Sequence, residues 1–242
     1  MTAEPMALSS AITIDAAVAA ARPSTTQPWN ETAARRASIA AYAATKRALD
    51  IVVAATLLLV LLPLFALIAL AIMREAGGPV FYCAERVGRF GRPFCLVKFR
   101  SMRSGSDQGA HAAFIRSLMR GSDFAVYKVP DDPRITRLGA FLRRTSIDEL
   151  PQLWNVLRGE MSLVGPRPDV PYAFAEYADW MHKRLLVRPG MTGLWQVSGR
   201  SRLSLLEMYR LDVAYAERAS LALDLRIMLR TVPVVLSRDG AA

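Results

Sequence analysis

Two adjacent carboxylates, Asp148 and Glu149, stand with Arg143 and Arg144 in the densest group of reactive side chains in the sequence. A carboxylate that attacks phosphorus forms an acyl phosphate, which divides one difficult transfer into two easier steps. Such a transfer needs cations to neutralise the developing charge, typically Mg²⁺ together with Arg or Lys. The neighbouring arginines would also keep both carboxylates ionised. The segment therefore predicts a nucleophile, Asp148, and a metal ligand, Glu149, in a phosphoryl-transfer site.

The same segment has a structural explanation. Ser146 and Glu149 have the spacing of a capping box, and acidic residues in the first turn of a helix stabilise it. Pro151 argues against this explanation, because it lies just past the first turn of such a helix and disrupts its hydrogen bonding. Taken alone, the segment favours helix capping over catalysis.

Further charged residues could hold phosphate. Arg167 lies between two prolines, which fix the backbone and present the guanidinium at low entropic cost, either to a phosphate or to solvent. Lys98 and Arg100 share one face of a predicted strand, which either binds phosphates or is the solvated side of an amphipathic strand. Asp212 lies on a helix, where a structural ion pair with an arginine is the alternative to a place in the site.

An apolar segment precedes these residues. Residues 51–73 carry no charge and as a helix would measure roughly 35 Å, enough to cross a bilayer. Pro63 at its centre predicts a kink or break. Basic residues flank both ends, and they belong on the cytoplasmic side. This symmetry favours a re-entrant helix that bends at Pro63 over a straight spanning helix with a tolerated proline.

Composition and patterning suggest three parts. The sequence predicts a flexible tail over residues 1–45 that turns helical near Ala33, a membrane helix over 46–74, and a catalytic domain over 75–242. The domain is expected to be α+β, mainly helical, with one small β-hairpin and a long helix over residues 204–229. Cys83 and Cys95 are expected to be reduced thiols.

The charge of the chain limits its partners. Lys and Arg number 31 against 21 Asp and Glu, a formal net charge of +10, which attracts anionic lipid, nucleic acid or phosphorylated substrates. A nucleic-acid binder is disfavoured, because the sequence holds a long uncharged apolar run and no recognisable nucleic-acid-binding motif. A non-catalytic membrane scaffold is the stronger rival, and Mg²⁺-dependent activity would distinguish an enzyme from it.

Several motifs, taken in order, resemble the small monotopic phosphoglycosyl transferases, the bacterial sugar transferase family. The likeness covers residues 46–231. After the proline-interrupted apolar segment, the motifs are Lys98-Phe99-Arg100-Ser101-Met102, Asp132-Pro133-Arg134-Ile135-Thr136, Thr145-Ser146-Ile147-Asp148-Glu149-Leu150-Pro151-Gln152, Met161-Ser162-Leu163-Val164-Gly165-Pro166-Arg167-Pro168 and Pro189-Gly190-Met191-Thr192-Gly193. As an ordered set they favour catalysis over capping at the two acids.

The resemblance implies a two-step reaction on the cytoplasmic face of the bacterial inner membrane. Asp148 would attack the β-phosphate of a UDP-sugar and release UMP, and undecaprenyl phosphate would then take the sugar phosphate. Glu149, with Asp148, would hold Mg²⁺. The product would start exopolysaccharide, capsule or O-antigen synthesis. The segment Trp195-Gln196-Val197-Ser198-Gly199-Arg200 resembles the branch that transfers galactose or glucose 1-phosphate.

The resemblance also assigns the other charged residues. Those expected near phosphate or nucleotide are Lys98, Arg100, Arg134, Arg144 and Arg167, and Asp212 matches a C-terminal acid that the family needs. The implied partners are a UDP-sugar, undecaprenyl phosphate and inner-membrane lipid, but not nucleic acid, and a homodimer is left open.

Overall fold

A long apolar helix, α1, is the first element of the protein. A computed structural model describes residues 33–102 and 135–236. Helix α1 covers Ala33–Ala76, 44 residues, and continues through Pro63. Helix α1 therefore includes residues 33–45, which the sequence analysis assigned to the flexible tail. It begins at Ala33, near which the tail was predicted to become helical. Pro63 does not end the helix, and the re-entrant path stays a prediction.

The remaining elements are short. In chain order they are β1 (Phe81–Val87), a 3₁₀ turn (Arg89–Gly91), β2 (Pro93–Phe99), α2 (Arg137–Arg144), a 3₁₀ turn (Ile147–Glu149), α3 (Gln152–Arg158), β3 (Ser162–Val164), α4 (Pro171–Phe174), a 3₁₀ segment (Asp179–Leu186), β4 (Gly190–Thr192), two 3₁₀ turns (Trp195–Val197 and Arg200–Arg202), α5 (Leu205–Arg218) and α6 (Leu221–Leu236). The prediction of a mainly helical α+β protein is confirmed.

The strands form two small sheets. Strands β1 and β2 make the predicted antiparallel hairpin, with Phe81 opposite Phe99. Strands β3 and β4 pair in parallel, with Ser162 opposite Gly190. This second pair was not predicted, because each strand is only three residues long and too short to show an alternating pattern.

The hairpin also joins the two cysteines. Cys83 and Cys95 lie on neighbouring strands with Cα atoms 5.4 Å apart and are linked by a disulfide. The expectation of two reduced thiols is wrong. In the antiparallel register Cys83 lies diagonally across from Cys95, which brings their Cα atoms within the distance range of disulfide bonds.

The long C-terminal helix of the prediction is two helices. Ser204 caps α5 as predicted, since its side chain accepts from the Glu207 backbone and Glu207 returns the bond. Helix α5 ends at Arg218, and the Ser220 hydroxyl accepts from the backbone N–H of Leu223 at the start of α6. The serine supplies the cap that lets a second helix begin in a new direction.

Helix α1 packs along the rest of the protein. Ala54 is buried in the larger apolar core, and Ile68 and Ile72 in a second core with Phe99 and Leu142. The opposite face of α1 is apolar and exposed. Among the described residues, α1 is the one helix long and apolar enough to cross a membrane. Its composition is therefore that of a membrane anchor, although one face is part of the protein core.

The first turns of α1 bind the C-terminal helix through a buried carboxylate. Asp224 of α6 accepts from the Lys46 ammonium at 2.9 Å and the Tyr42 hydroxyl at 3.0 Å. The Tyr215 hydroxyl donates to its other oxygen at 2.6 Å. A buried carboxylate needs such partners because it has lost its hydration, so this cluster holds α1 against α5 and α6.

Arg47 connects α1 to α3. Its guanidinium donates to the backbone carbonyls of Val156 and Leu157 at 2.5 and 2.7 Å. These carbonyls lie in the last turn of α3, where intrahelical donors are missing. Helix α1 therefore caps the helix that follows the two adjacent carboxylates.

We expect Asp50→Ala to destabilise the fold, because the buried Asp50 carboxylate accepts from the Ser162 hydroxyl at 3.1 Å and the Leu163 N–H at 3.0 Å. The substitution leaves these donors unpaired, which should lower the free energy of unfolding by about 1–3 kcal/mol. The unfolding equilibrium of the detergent-solubilised protein measures this difference in free energy. The control Asp179→Ala removes an exposed carboxylate and should change stability by less than about 0.5 kcal/mol. Equal losses of stability in both variants would contradict the stabilising role assigned to the Asp50 carboxylate.

Candidate active site

The turn that carries the two carboxylates is set by an unusual residue conformation. Helix α2 ends at Arg144, and Ser146 then adopts a left-handed conformation with φ 57° and ψ 15°. The 3₁₀ turn that follows carries Asp148 and Glu149, and Pro151 is the N-cap residue of α3. The Ser146 side chain makes no capping hydrogen bond, so the capping-box explanation of this segment is wrong.

Glu149 is held by two cations. The Arg167 guanidinium binds both of its oxygens, Nη1 to Oε2 at 3.1 Å and Nη2 to Oε1 at 2.6 Å. The Lys98 ammonium lies 3.0 Å from Oε1. Burial would raise the pKa of Glu149, but Arg167 and Lys98 outweigh it and hold that pKa well below its usual range. The ionised form of Glu149 is therefore strongly favoured in the site.

Asp148 has a different environment from its neighbour. It is 8% exposed, and within the described part of the chain no side chain donates a hydrogen bond to its carboxylate. Burial raises its pKa, Lys98 opposes the change and Glu149 adds to it, while Arg143 and Arg167 lower it in part. The net shift is upward. Two adjacent carboxylates thus have pKa values displaced in opposite directions, a pattern typical of groups with distinct roles.

Lys98 is held in position by a residue that sequence reasoning missed. The buried Asn155 side chain of α3 accepts from the Val97 N–H at 3.0 Å and donates to the Cys95 carbonyl at 2.7 Å. These bonds hold β2 against α3. Lys98 is the residue after Val97 on the same strand. A polar residue within the apolar pattern of α3 was the available signal, because buried amides are kept where they have partners.

Arg167 extends from a loop with a fixed backbone. The Gly190 N–H donates to the Pro166 carbonyl at 2.8 Å, and the Gly165 N–H to the Thr192 carbonyl at 2.9 Å. The two glycines meet so closely that a Cβ on Gly190 would lie 2.0 Å from the Gly165 nitrogen. The rigid presentation predicted from the flanking prolines is therefore reinforced by β4.

Asp212 forms the structural ion pair that the sequence offered as an alternative. Its Oδ2 lies 2.6 Å from Nη2 of Arg184 and 3.1 Å from Nε. Both side chains are buried, and Oδ1 is a buried oxygen without a hydrogen-bond partner in the described structure. Burial raises the pKa of Asp212 to about 6, although Arg184 opposes the shift.

The other predicted phosphate ligands are placed differently. Arg100 is half-buried and its Nε donates to the Met102 carbonyl at 3.1 Å. Arg144 is exposed on the last turn of α2, whereas the preceding Arg143 acts on the pKa of Asp148. Arg134 lies outside the described residues. The structure therefore brings together Lys98, Asp148, Glu149 and Arg167, and the roles of the remaining residues stay predictions.

The grouped residues have the chemistry expected of phosphoryl transfer. A carboxylate that accepts no hydrogen bond from the described part of the chain is available as a nucleophile, and the adjacent Lys and Arg can neutralise phosphate oxygens. Arg167 presents its guanidinium in the bidentate geometry that suits both carboxylate and phosphate.

Comparison with known proteins agrees with this chemistry. Residues 41–238 match the family model described as bacterial sugar transferase. A UDP-galactose-lipid carrier transferase of Erwinia amylovora is 44% identical over 197 residues, which cover 81% of this chain and 41% of that protein. The exopolysaccharide production protein ExoY of Rhizobium meliloti is 42% identical, with 81% of this chain and 87% of that protein covered.

A third relative is the UDP-glucose:undecaprenyl-phosphate glucose-1-phosphate transferase of Caulobacter vibrioides. It is 43% identical over 205 residues, 81% of this chain and 71% of that protein. The chain thus spans about two-fifths of the length of some curated relatives, as in Erwinia, and most of the length of others. The family match alone covers well over half of the chain. The chain therefore belongs to the bacterial sugar transferase family.

Proposed function

We propose that this protein transfers galactose or glucose 1-phosphate from a UDP-sugar to undecaprenyl phosphate and releases UMP. The observation that carries the proposal is the contrast between two adjacent carboxylates. The buried Asp148 accepts no hydrogen bond from the described residues, whereas Glu149 is held by two cations. The names of the Erwinia and Caulobacter relatives support a galactose or glucose donor. The product would initiate exopolysaccharide, capsule or O-antigen synthesis.

The reaction proceeds in two displacements at the same phosphorus atom. A carboxylate oxygen of Asp148 attacks the β-phosphorus of the UDP-sugar, the bond to the bridging oxygen breaks, and UMP leaves with the electron pair. A phosphate oxygen of undecaprenyl phosphate then attacks this phosphorus. The bond to Asp148 breaks and the carboxylate is restored. Neither displacement needs a general base, because both nucleophiles are anions.

Lys98 and Arg167 provide positive charge for the diphosphate. Both cations are paired with the single carboxylate of Glu149, which leaves one positive charge in excess, so the diphosphate shares or replaces their contacts with that carboxylate. Charge-assisted and bidentate contacts of this kind are the strong ones for phosphate. Arg167 in particular can bind two phosphate oxygens at once.

Glu149 and Asp148 would hold the Mg²⁺ that the family resemblance implies. Among the described residues no group of three or more His, Cys, Asp or Glu side chains could hold a metal ion. Two carboxylates fit an ion that arrives with the substrate, because Mg²⁺ is usually bound by one or two carboxylates together with substrate phosphates. When bound, Mg²⁺ supplies further positive charge to the transferring phosphoryl group.

Contacts at both ends of the apolar run of α1 support a re-entrant placement. Just before the run, Lys46 binds Asp224, and just after it the Glu75 carboxylate accepts from the Leu138 N–H at 3.3 Å. The ends of a spanning helix lie on opposite sides of a hydrocarbon core about 30 Å thick. One domain that contacts both ends favours entry and exit on one face. The basic flanks favour the cytoplasmic face of the bacterial inner membrane as that face.

The exposed face of α6 supports contact between the catalytic domain and lipid. Leu225, Leu229 and Val232 are 55%, 66% and 59% exposed and lie along one side of the helix. Arg226 and Arg230 are exposed beside them. An apolar helix face flanked by arginines is typical of helices that lie in the plane of an anionic membrane. The proposed domain therefore rests on the surface from which its lipid acceptor is presented.

The covalent step predicts a lipid-free reaction. With UDP-sugar alone, the protein should release up to one equivalent of UMP per active site and gain the mass of one hexose phosphate on the peptide that contains Asp148. Asp148→Asn should abolish both signals, because the amide is a poor nucleophile. Asp224→Asn alters a buried carboxylate whose partners are Tyr42, Lys46 and Tyr215 rather than either acid, and it should retain both signals. Rapid transfer to undecaprenyl phosphate without adduct or lipid-free UMP would instead indicate a ternary complex.

The raised pKa of Asp148 predicts a particular pH dependence. Only the ionised carboxylate attacks, so UMP release should fall on acidification at a pH above the ordinary aspartate pKa of about 3.9. Arg143→Gln removes a positive charge that lowers this pKa, so the acid limb should move to higher pH. Arg144→Gln removes the same charge from an exposed neighbour and should move the limb less. An equal displacement of the acid limb in both variants would contradict the electrostatic effect of Arg143 on the pKa of Asp148.

Membrane topology can be tested with exposed positions at both ends of the apolar run. Single cysteines at Ala44 and Pro79 should both resist an impermeant thiol reagent added from the periplasm. Pro63→Ala restores a continuous apolar helix long enough to span, so it should increase labelling at one end. Labelling of only one of the two positions in the otherwise native protein would establish a spanning helix.

A further inference from the structure

A buried cluster of charged and tyrosine side chains lies behind the loop that carries Arg167. At its centre the Arg184 guanidinium binds Asp212 through Nε and Nη2, at 3.1 and 2.6 Å, and Asp169 through Nη1 at 3.1 Å. The Tyr177 hydroxyl donates to Asp169 at 2.8 Å and also contacts Arg184. All three guanidinium nitrogens are engaged, so the orientation of Arg184 is fixed.

Arg184 makes one more contact, and this one leads to the active site. Its Nη2 donates to the backbone carbonyl of Arg167 at 2.6 Å. The carbonyls one residue before and two residues after it are held as well, Pro166 by the Gly190 N–H and Asp169 by the Val87 N–H at 2.9 Å. The backbone at Arg167 is therefore anchored before, at and after the residue whose guanidinium binds Glu149.

We propose that Arg184, oriented by Asp212, is a positioning residue for Arg167. Asp212 is 1% exposed and both contacts of its Oδ2 are with Arg184. Its effect on the reaction therefore passes through Arg184 and the Arg167 carbonyl to the guanidinium. This inference rests on the proposed function, because it takes Arg167 as a ligand of the diphosphate.

The geometry explains why a buried carboxylate in this place matters for transfer. A misplacement of about 1 Å at a catalytic group can reduce a rate roughly 100-fold. Without the charge of Asp212, Arg184 loses the partner that binds two of its nitrogens. The guanidinium can then turn away from the Arg167 carbonyl, and the bidentate contact of Arg167 loses its support.

A double-mutant cycle tests the route of the effect. Asp212→Asn keeps the shape of the side chain and removes its charge. In the otherwise native protein we expect it to lower kcat/KM for UMP release about 10-fold or more, within the range expected for misplaced groups. In an Arg167→Ala background it should lower kcat/KM less than about threefold, because residues that act through one another are not additive. Arg184→Lys keeps the charge, cannot bridge the same groups, and should show the same dependence on Arg167.

Asp224→Asn is the matched control. Asp224 is also 1% exposed and is bound by Lys46, Tyr42 and Tyr215, but it contacts neither Arg184 nor the Arg167 loop. We expect it to lower the thermal unfolding temperature as Asp212→Asn does. Its effect on UMP release should be equally small in both backgrounds. If Asp224→Asn is coupled to Arg167 as strongly as Asp212→Asn is, both effects arise from general instability of the protein. That outcome would overturn the proposal.

Binding of UDP provides a readout that does not depend on the covalent step. The dissociation constant of UDP should follow the same cycle, weakened by Asp212→Asn only when Arg167 is present. If Asp212→Asn weakens binding equally in the Arg167→Ala background, Asp212 acts directly on the ligand and the proposal fails. If the native protein forms no UMP yet the binding cycle shows the coupling, the proposed reaction fails and the positioning role of Arg184 stands.

Discussion

Glu149 lies between the Arg167 guanidinium and the Lys98 ammonium, and burial alone would disfavour its charge. The three residues come from a 3₁₀ turn, the loop after β3, and β2. A partly buried carboxylate is stable only while its partners stay in place, because a lost partner leaves an uncompensated charge. The rest of the domain therefore has to hold three separate backbone segments at fixed distances, and the buried contacts of Asn155, Gly190 and Arg184 do so.

The long apolar helix α1 takes part in the same framework. Arg47 caps the carboxyl end of α3, whose amino end follows the two acids, and Asp50 holds β3, which leads into the Arg167 loop. The turns of α1 that come just before the apolar run thus support both sides of the active site. Because these residues come directly before the apolar run, the position of the site relative to that run is set by short connections.

The local sequence offered the acids, Lys98 and Arg167 as candidates with structural alternatives, and the ordered motifs of the family resemblance selected them. The apolar helix was predicted from its uninterrupted pattern alone. The sequence did not predict the partner of Asp212, since an ion pair between residues 28 positions apart is a property of the packed fold. Nor could it tell Arg143 from Arg144. Adjacent residues on a helix point about 100° apart, and only the packing of α2 decides which one faces Asp148.

The opposite pKa shifts of Asp148 and Glu149 follow from one local feature. In a 3₁₀ turn successive residues point about 120° apart, so two acids adjacent in sequence face different surroundings. Ser146, in its left-handed conformation, sets the direction of that turn. A carboxylate held as Glu149 is held would make a poor nucleophile, because attack would first have to break its contacts with two cations. Asp148 lies within the field of those cations without hydrogen bonds to them, so it can be ionised and still be free to attack.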